Sequence, residues 1–198
     1  MDDELPADGV SFPLIVTFRS DPNLFSAEPS APCAIAFCQH LALTHVRNLH
    51  VAGIIPPTYD EDQTKEWVQL FSGLSSLTTL GTAGLAAYRL PDMLKAKMLD
   101  DSDRLCLGTL QRAEVEAVSF GVTETFRRGE PGDFTEQLVQ SLVIRAQETS
   151  TLATLVIKRS KCVDLPDVKM LEKFVGSVEW DGVVDADSGQ EDFELNYY

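Results

Sequence analysis

A short apolar pattern recurs along the chain. It consists of an apolar residue, two variable residues, a second apolar residue, one variable residue and a third apolar residue. Alternation of this kind over a short run is typical of a half-buried β-strand. It predicts six short strands centred on residues 16, 49, 80, 118, 155 and 178. The copies are Pro13-x-x-Val16-x-Phe18, Val46-x-x-Leu49-x-Val51, Leu77-x-x-Leu80-x-Thr82, Val115-x-x-Val118-x-Phe120, Leu152-x-x-Leu155-x-Ile157 and Val175-x-x-Val178-x-Trp180.

Helix-like segments separate these predicted strands. Residues 133–148 carry apolar side chains at the spacing of one helical face. Shorter helices are predicted over 63–72, 90–99 and 167–175, and the weakest pattern lies over 33–43. Alternation of strands and helices indicates a parallel sheet, because parallel neighbours require a crossover that is usually helical.

Two α/β architectures fit this order of elements. The regular apolar spacing favours a short, irregular solenoid of leucine-rich-repeat-like units, with parallel strands on one face and helices on the other. The alternative is a doubly wound open sheet, whose central strands would be continuously apolar. Leucine-rich repeats normally carry an Asn after each strand. Here Ile54, Leu85 and Thr123 occupy that place, so the predicted solenoid is irregular.

The formal charge of −15 is concentrated at the two ends of the chain. Residues 1–8 contain four acids and no base, and residues 179–198 contain seven acids and no base. We therefore predict an acidic tail over 1–10, one leucine-rich-repeat-like domain over 11–182, and a second acidic tail over 183–198. The missing basic footprint argues against nucleic acid or anionic membrane as partner.

The four cysteines lie among mostly apolar neighbours. They are Cys33, Cys38, Cys106 and Cys162. The first ten residues are acidic and lack the apolar core of a secretory signal. We therefore expect packed thiols in a reducing compartment, either the cytoplasm or the nucleus. The basic neighbours of Cys162 are also compatible with a reactive thiol, but a packed thiol is the favoured interpretation.

A zinc site is the strongest metal hypothesis, and the spacing does not favour it. Cys33 and Cys38 are five residues apart, as are His40, His45 and His50. On a helix, residues five apart point about 140° away from each other. We therefore predict no metal site.

No residue pattern predicts catalysis or a cofactor. Ser119 lacks the Gly-x-Ser-x-Gly elbow, and no phosphate-binding glycine motif follows a strand. The chain is therefore predicted not to be an enzyme. The alternative is a small α/β enzyme with an open parallel sheet. Its cleft would lie at the carboxyl ends of the strands, near residues 82–84, 121–125 and 158–161.

A binding strip is the positive prediction. In a solenoid, the variable residues between the apolar positions of each strand line an open sheet face, which repeat proteins use for partners. The strip is small and nearly neutral. Gly81 and Ala117 belong to it, and its predicted partner-binding residues are Asn48, His50, Thr79, Ser119, Thr154 and Val156.

Several segments resemble the leucine-rich-repeat-like region of fungal, particularly basidiomycete, F-box proteins. They are His45-Val-Arg-Asn-Leu-His-Val51, Leu152-Ala-Thr-Leu155-Val-Ile157, Cys162-Val-Asp-Leu165-Pro-Asp167 and Val175-Gly-Ser-Val178-Glu-Trp180-Asp-Gly182. Cys162 falls two residues later than the cysteine-containing repeat would place it. The resemblance implies recognition of a protein target within a ubiquitin ligase. We recognise no F-box, so a Skp-type adaptor is expected only if an F-box is supplied elsewhere.

Overall fold

The computed structural model describes residues 14–17, 43–52, 68–69, 71–98, 104–123, 132–148 and 151–183. Its strands are β1 Leu14–Thr17, β2 Asn48–Ala52, β3 Thr79–Ala83, β4 Arg112–Glu116, β5 Val122–Thr123, β6 Gly132–Asp133, β7 Thr154–Lys158 and β8 Ser177–Trp180. Its α-helices are α1 Leu90–Lys95, α2 Phe134–Glu148 and α3 Leu165–Leu171, and 3-10 helices span Leu43–His45 and Gly84–Arg89.

Six strands form one parallel sheet in the order β1-β2-β3-β4-β7-β8. The two short strands β5 and β6 form a separate antiparallel pair, which the sequence pattern does not predict. A doubly wound sheet reverses its strand order at a switch point. In the described part of this chain, the strand order of the main sheet simply follows the sequence. The predicted α/β class with a parallel sheet is confirmed.

The inward face of the sheet forms two rows of aligned side chains. These residues alternate with outward ones, as the period of a strand requires. The inward side chains of β2, β3, β4 and β7 join residues of α1, α2 and α3 in one hydrophobic core. The first row is Leu49, Leu80, Ala113, Leu155 and Val178, and the second is Val51, Thr82, Val115, Ile157 and Trp180.

The predicted position of the fourth strand is wrong. The strand was expected around Val118, whereas β4 ends at Glu116 and its inward central residue is Ala113. Ala117 has a φ of 58°, which interrupts the extended backbone there. The true copy of the pattern is Leu110-x-x-Ala113-x-Val115, whose central slot holds an alanine.

The predicted centre of the first strand also shifts, by two residues. Leu14, rather than Val16, lies opposite Leu49 of β2. A shift by an even number of residues leaves the same side chains on the same face. The prediction therefore places this strand correctly but misses its register.

The described helices confirm the predicted positions but change several ends. α2 agrees with the predicted 133–148, and the Thr135 N–H donates to Asp133 Oδ1 over 2.8 Å. α3 starts before the predicted residue 167, because Asp164 caps it. The Asp167 N–H donates to Asp164 Oδ1 (2.9 Å), and the Asp164 N–H donates to Asp167 Oδ2 (3.2 Å). α3 ends at Leu171, and α1 ends at Lys95 rather than at residue 99.

Two predicted helices lie largely outside the described residues. Of the predicted helix over 63–72, residues 68–69 and 71–72 are described, and they are helical. Of the predicted helix over 33–43, only Leu43 is described. The predicted tail over 1–10 also lies outside, as does the predicted tail over 183–198 apart from residue 183.

Arg145 is a fully buried charged side chain that fixes α2 to the turn before β4. Its guanidinium donates to the carbonyl oxygens of Leu107 and Leu110, each over 2.7 Å, and to that of Gly108 over 3.5 Å. Burial lowers the pKa of Arg145 from its ordinary value. These bonds satisfy main-chain oxygens that would otherwise be buried without a donor.

Candidate functional site

The side of the main sheet that points away from the helical core is the candidate site, and we call it the outer face. Its residues alternate with the buried ones along each strand, and most are half-exposed. In the described part of the chain the helices contribute to the core on the other side, and such a sheet face offers a broad surface to a partner. The outer face consists of Asn48, His50, Ala52, Thr79, Gly81, Ala83, Arg112, Glu114, Glu116, Thr154, Val156, Lys158, Ser177 and Glu179.

Four predicted partner-binding residues lie on the accessible part of the outer face. Asn48 and Thr79 are cross-strand neighbours, and Thr154 lies in the same row two strands further on. His50 lies in the next row, opposite Gly81. Their half-exposed side chains place them where a partner could reach them, and their role in binding stays a prediction.

Two other predicted residues require correction. Val156 belongs to the outer face but is only 3% exposed, so it offers almost no surface to a partner. Ser119 lies beyond the end of β4, and so does its predicted neighbour Ala117. The Ser119 N–H donates to the Tyr88 hydroxyl oxygen over 2.9 Å. Ser119 and Ala117 therefore do not belong to the outer face, because β4 ends earlier than the sequence pattern indicates.

The half of the outer face formed by β2 and β3 is neutral and built from small residues. The imidazole of His50 lies over Gly81, so that a Cβ at position 81 would come within 2.5 Å of His50 Nδ1. Only a glycine leaves room for the ring in this position. Ala52 and Ala83 are paired in the next row, and this half therefore carries few long side chains.

The half formed by β4, β7 and β8 carries a network of ion pairs centred on Glu114. Arg112 Nε donates to Glu114 Oε1 over 2.9 Å, and Lys158 Nζ donates to Glu114 Oε2 over 3.0 Å. Arg112 also donates from its two terminal nitrogens to both carboxylate oxygens of Glu179, over 3.0 and 2.8 Å. Such paired bonds fix the orientation of the guanidinium as well as its position.

The position of Arg112 explains the burial of Val156. Val156 lies in one row between Glu114 on β4 and Glu179 on β8. Because Arg112 bonds to both carboxylates, its side chain crosses over the strand between them. The valine is thereby covered on a face that is otherwise partly open to solvent.

A further ion pair lies at the carboxyl ends of the same strands. The side chain of Arg159 pairs with Glu116, and its backbone N–H donates to Asp181 Oδ2 over 2.6 Å. Arg159 has a φ of 48°, so it leaves β7 in the same left-handed conformation in which Ala117 leaves β4. Two adjacent strands thus end with the same local geometry.

The ion pairs favour the ionised forms of Glu114 and Glu179 on the outer face. Burial alone would raise the pKa of Glu114, but the hydrogen bonds from Arg112 and Lys158 outweigh it and hold the pKa below its ordinary value. The hydrogen bond from Arg112 likewise lowers the pKa of the exposed Glu179. In turn, the hydrogen bonds with Glu179 and Glu114 raise the pKa of Arg112.

Replacing Arg112 with Gln should raise the pKa of both Glu114 and Glu179. A carboxylate with a lowered folded-state pKa stabilises the fold fully above its unfolded-state pKa of about 4.3, and this contribution disappears as the pH falls through the lower folded value. The difference in unfolding free energy between wild type and Arg112→Gln should therefore shrink as the pH falls below about 4.3. Carboxylate NMR titration and urea unfolding against pH measure the two effects.

Lys169→Gln on the exposed surface of α3 removes the same charge and serves as the control for Arg112→Gln. It should leave both glutamate titrations unchanged. Unaltered titration of Glu114 in Arg112→Gln would contradict the network as described.

Tyr88 holds the segment after β4 in place near the carboxyl ends of the strands. Its ring packs edge-on against Phe134 with centroids 5.5 Å apart, and Phe134 packs edge-on against Phe120 at 5.0 Å. Burial raises the pKa of the Tyr88 hydroxyl, and the hydrogen bond from Ser119 opposes this rise. The Tyr88 hydroxyl oxygen accepts the hydrogen bond from the Ser119 main chain and so helps to hold the segment after β4 in place.

The two described cysteines differ in their surroundings. Cys106 is a buried thiol, as predicted. Cys162 is exposed, which contradicts the predicted packed thiol, and it has a φ of 54°. Its neighbours in the sequence include Lys158, Arg159 and Lys161, so this thiol lies beside charged residues at the surface rather than in the core.

The described residues bring together no group of three His, Cys, Asp or Glu side chains that could hold a metal ion. Of the zinc candidates, Cys33, Cys38 and His40 lie outside the described residues. His45 is exposed in a 3-10 helix, and His50 lies on β2. None of the described helices is both long and apolar enough to cross a membrane.

Comparisons with known proteins add no relative to this picture. No family model, curated protein or solved structure matches the chain.

Sequence reasoning missed the charged residues of the outer face, and one signal could have found them. Arg112, Glu114 and Glu116 are the residues that flank the apolar positions of Leu110-x-x-Ala113-x-Val115. Accepting alanine in the central slot would have identified β4 and its outward side chains. The pairing with Lys158 and Glu179 then follows from neighbouring strands in the sheet.

Proposed function

We propose that this chain is a non-catalytic protein-interaction module, built as a short, irregular leucine-rich-repeat-like solenoid, that binds a protein target through its outer face. The observation that carries this proposal is the sheet itself. Its six parallel strands follow one another in sequence order, and from β2 to β8 mostly apolar residues are aligned on the inward side and mostly polar residues on the other.

The aligned repeat supports the solenoid. Leu49, Leu80, Ala113, Leu155 and Val178 occupy the same slot of the repeated pattern and lie in one row of the sheet. In a solenoid, each unit buries its apolar face against its chain neighbours. Sequence order, register and burial therefore agree with one repeated unit.

Ser160 supports a leucine-rich-repeat-like unit in particular. Counting from Leu152, it occupies the position of the conserved Asn in the pattern L-x-x-L-x-L-x-x-N. Ser160 is fully buried, donates its hydroxyl to the Lys158 carbonyl oxygen over 3.1 Å, and accepts the Val118 N–H over 3.5 Å. It thus satisfies main-chain groups of two adjacent units, as the Asn would.

The charges of the outer face favour a protein as partner. Arg112 and Lys158 are engaged by carboxylates of the same face, and Arg159 pairs with Glu116. Nucleic acid would require clustered basic side chains available to phosphates. A face with paired charges beside neutral small residues suits the mixed polar and apolar surface of a protein.

Two arginines placed on the neutral half test this surface. Asn48→Arg with Thr79→Arg adds two long charged side chains to adjacent strands. We expect binding of the target to weaken by about tenfold or more, equivalent to about 1.4 kcal/mol. Gln140→Arg with Gln147→Arg adds the same charge on the exposed side of α2 and should leave binding unchanged.

The experiment compares proteins captured by the three versions of the full chain from the cells that express it, followed by titration of purified pairs. A supporting target is retained by the wild type and the α2 control and lost with the outer-face variant. A target that binds all three equally would move the binding site away from the outer face.

The resemblance to F-box proteins extends the proposal to ubiquitin ligases. We propose that the target is one that such a ligase would recognise, in the cytoplasm or nucleus, and that coupling to the Skp-type adaptor needs an F-box supplied elsewhere. Purified chain mixed with purified adaptor should therefore not form a complex. Stable binding of the adaptor would show that the chain contains its own adaptor-binding motif.

A further inference from the structure

We propose that two copies of this chain associate through β8 and join their main sheets into one. In the described part of the chain, β8 pairs with β7 alone. The other edge of β8 therefore presents backbone donors and acceptors to an incoming strand. The occupant that we assign to this edge is β8 of a second copy, which pairs with it antiparallel about a two-fold axis.

The inward side chains of β8 are covered less well than those of the strand before it. Leu155 and Ile157 of β7 have no exposed surface, whereas Val178 and Trp180 of β8 are only partly buried, although both pack against the core. The Nε1 of Trp180 is shielded from solvent and has no hydrogen-bond acceptor among the described residues. Most buried N–H groups in proteins are paired, so both observations indicate a missing neighbour at this edge.

The exposed apolar side chains lie at the same end of the sheet. α3 packs beside β8, and its residues Leu165 and Met170 are 54% and 43% exposed. Val183, shortly after β8, is exposed as well. Within the described residues, the large apolar side chains that are exposed therefore belong to the last unit of the array. An apolar surface gathered at one end is typical of a protein interface.

The hydrogen bonds of β8 determine which of its groups face the open edge. The Asp181 N–H donates to the Ile157 carbonyl oxygen of β7 over 3.3 Å. Successive N–H groups of a strand point to opposite edges, so the N–H groups of Val178 and Trp180 point away from β7. In an antiparallel ladder, two opposite residues can exchange both of their backbone bonds. A two-fold axis at Val178 therefore joins its N–H and C=O to those of Val178 of the partner subunit.

The side chains of β8 are complementary in this register. Ser177 lies opposite Glu179 of the partner subunit, and Trp180 lies opposite Gly176 of the partner subunit. The glycine leaves room for the indole, and the backbone around it brings carbonyl oxygens close to Nε1. An axis at Glu179 would instead place two glutamates opposite each other, and like charges in that position destabilise a pair. This fit of β8 to its own sequence favours a second copy as the occupant.

The paired copies would present their outer faces together. A two-fold axis perpendicular to the sheet keeps both outer faces on one side of a continuous sheet. If the proposed function is correct, the dimer therefore offers two binding faces side by side, which strengthens attachment to a target that reaches both. The tests of the dimer use the chain alone, so their outcome does not depend on the target.

Sedimentation of the full chain over a range of concentrations tests the pairing and its register. The wild type should dimerise reversibly. Ser177→Glu, at an exposed site on the outer face, places an acid opposite Glu179 of the partner subunit and should raise the dimer Kd by about tenfold or more. Ser177→Lys places a base there and should lower the Kd by about threefold. Asn48→Glu and Asn48→Lys make the same charge changes in the same row on β2 and should leave the Kd unchanged.

Amide hydrogen exchange tests the same edge without a substitution. The amides of Val178 and Trp180 should be protected in the dimer and should exchange about tenfold faster or more after dilution to the monomer. Protection of these amides in a monomeric chain would overturn the proposal, because a segment of the same chain would then cover the edge.

Two results of sedimentation would also overturn the proposal. A chain that stays monomeric up to about 1 mM would leave the edge of β8 to a different protein. A dimer whose Kd is the same in the wild type and in both Ser177 variants would show that the two copies meet through another surface.

Discussion

Replacement of Arg145 with Met should lower the free energy of unfolding by about 3 to 5 kcal/mol. The guanidinium is fully buried and donates to the carbonyl oxygens of Leu107 and Leu110. Methionine keeps much of the apolar stem but supplies no donor, so these oxygens would stay buried without their partner. Urea denaturation monitored by circular dichroism gives the change in stability.

Gln147→Met is the matched control for Arg145→Met. It introduces the same residue two positions further along α2, at an exposed site, and should change stability by no more than about 0.5 kcal/mol. Equal stability of the two variants would show that the bonds from Arg145 do not hold α2 to the turn before β4.

Leu155→Ala should destabilise the fold by about 3 kcal/mol. Leu155 has no exposed surface and lies in the inward row between Ala113 and Val178. Its loss leaves a cavity that the neighbouring Ala113 is too small to fill. Such cavities add to the cost of losing the buried methyl groups. Thermal and urea unfolding of the variant measure the loss.

Leu165→Ala makes the same chemical change at a leucine that is 54% exposed at the start of α3. It should cost about 0.5 kcal/mol or less, since little apolar surface is withdrawn from water at that site. If the two leucine variants lost similar stability, the inward row would not be the centre of the core.

The sequence pattern located those strands whose central residues are large and apolar. Leu49, Leu80, Leu155 and Val178 all fall in the predicted strands and share one row. The fourth strand was misplaced because Ala113 gives a weak hydrophobic signal, whereas Val118 and Phe120 nearby give a strong one. Both of these residues are buried, but a left-handed residue at 117 separates them from the strand.

The buried arginine was missed, although its helix was predicted. Arg145 follows Leu138 and Leu142 at the spacing that continues one helical face, so periodicity alone places it toward the core. Its charge argued for the surface, because arginine is rarely buried without partners. The partners are main-chain oxygens of a distant turn, and no pattern in the sequence identifies them.

The covered valine of the outer face depends on tertiary structure in the same way. Alternation correctly places Val156 on the outward side of β7. Its burial comes from Arg112, which belongs to a strand more than forty residues earlier in the sequence and bonds across β7 to Glu179. Predicting such a contact requires knowing which strands are neighbours in the sheet. A single sequence gives this order only once the register of the repeats has been predicted correctly.

The sequential strand order has a consequence for how the chain folds. Every pairing in the main sheet joins strands that follow one another along the chain. Each pair of strands can therefore form without a segment from a distant part of the sequence. The entropy lost in closing each loop therefore stays small, which favours rapid assembly for a parallel sheet. Assembly can start at any pair of adjacent units and extend in both directions. Unfolding by heat or denaturant should begin at the two outermost strands of the sheet.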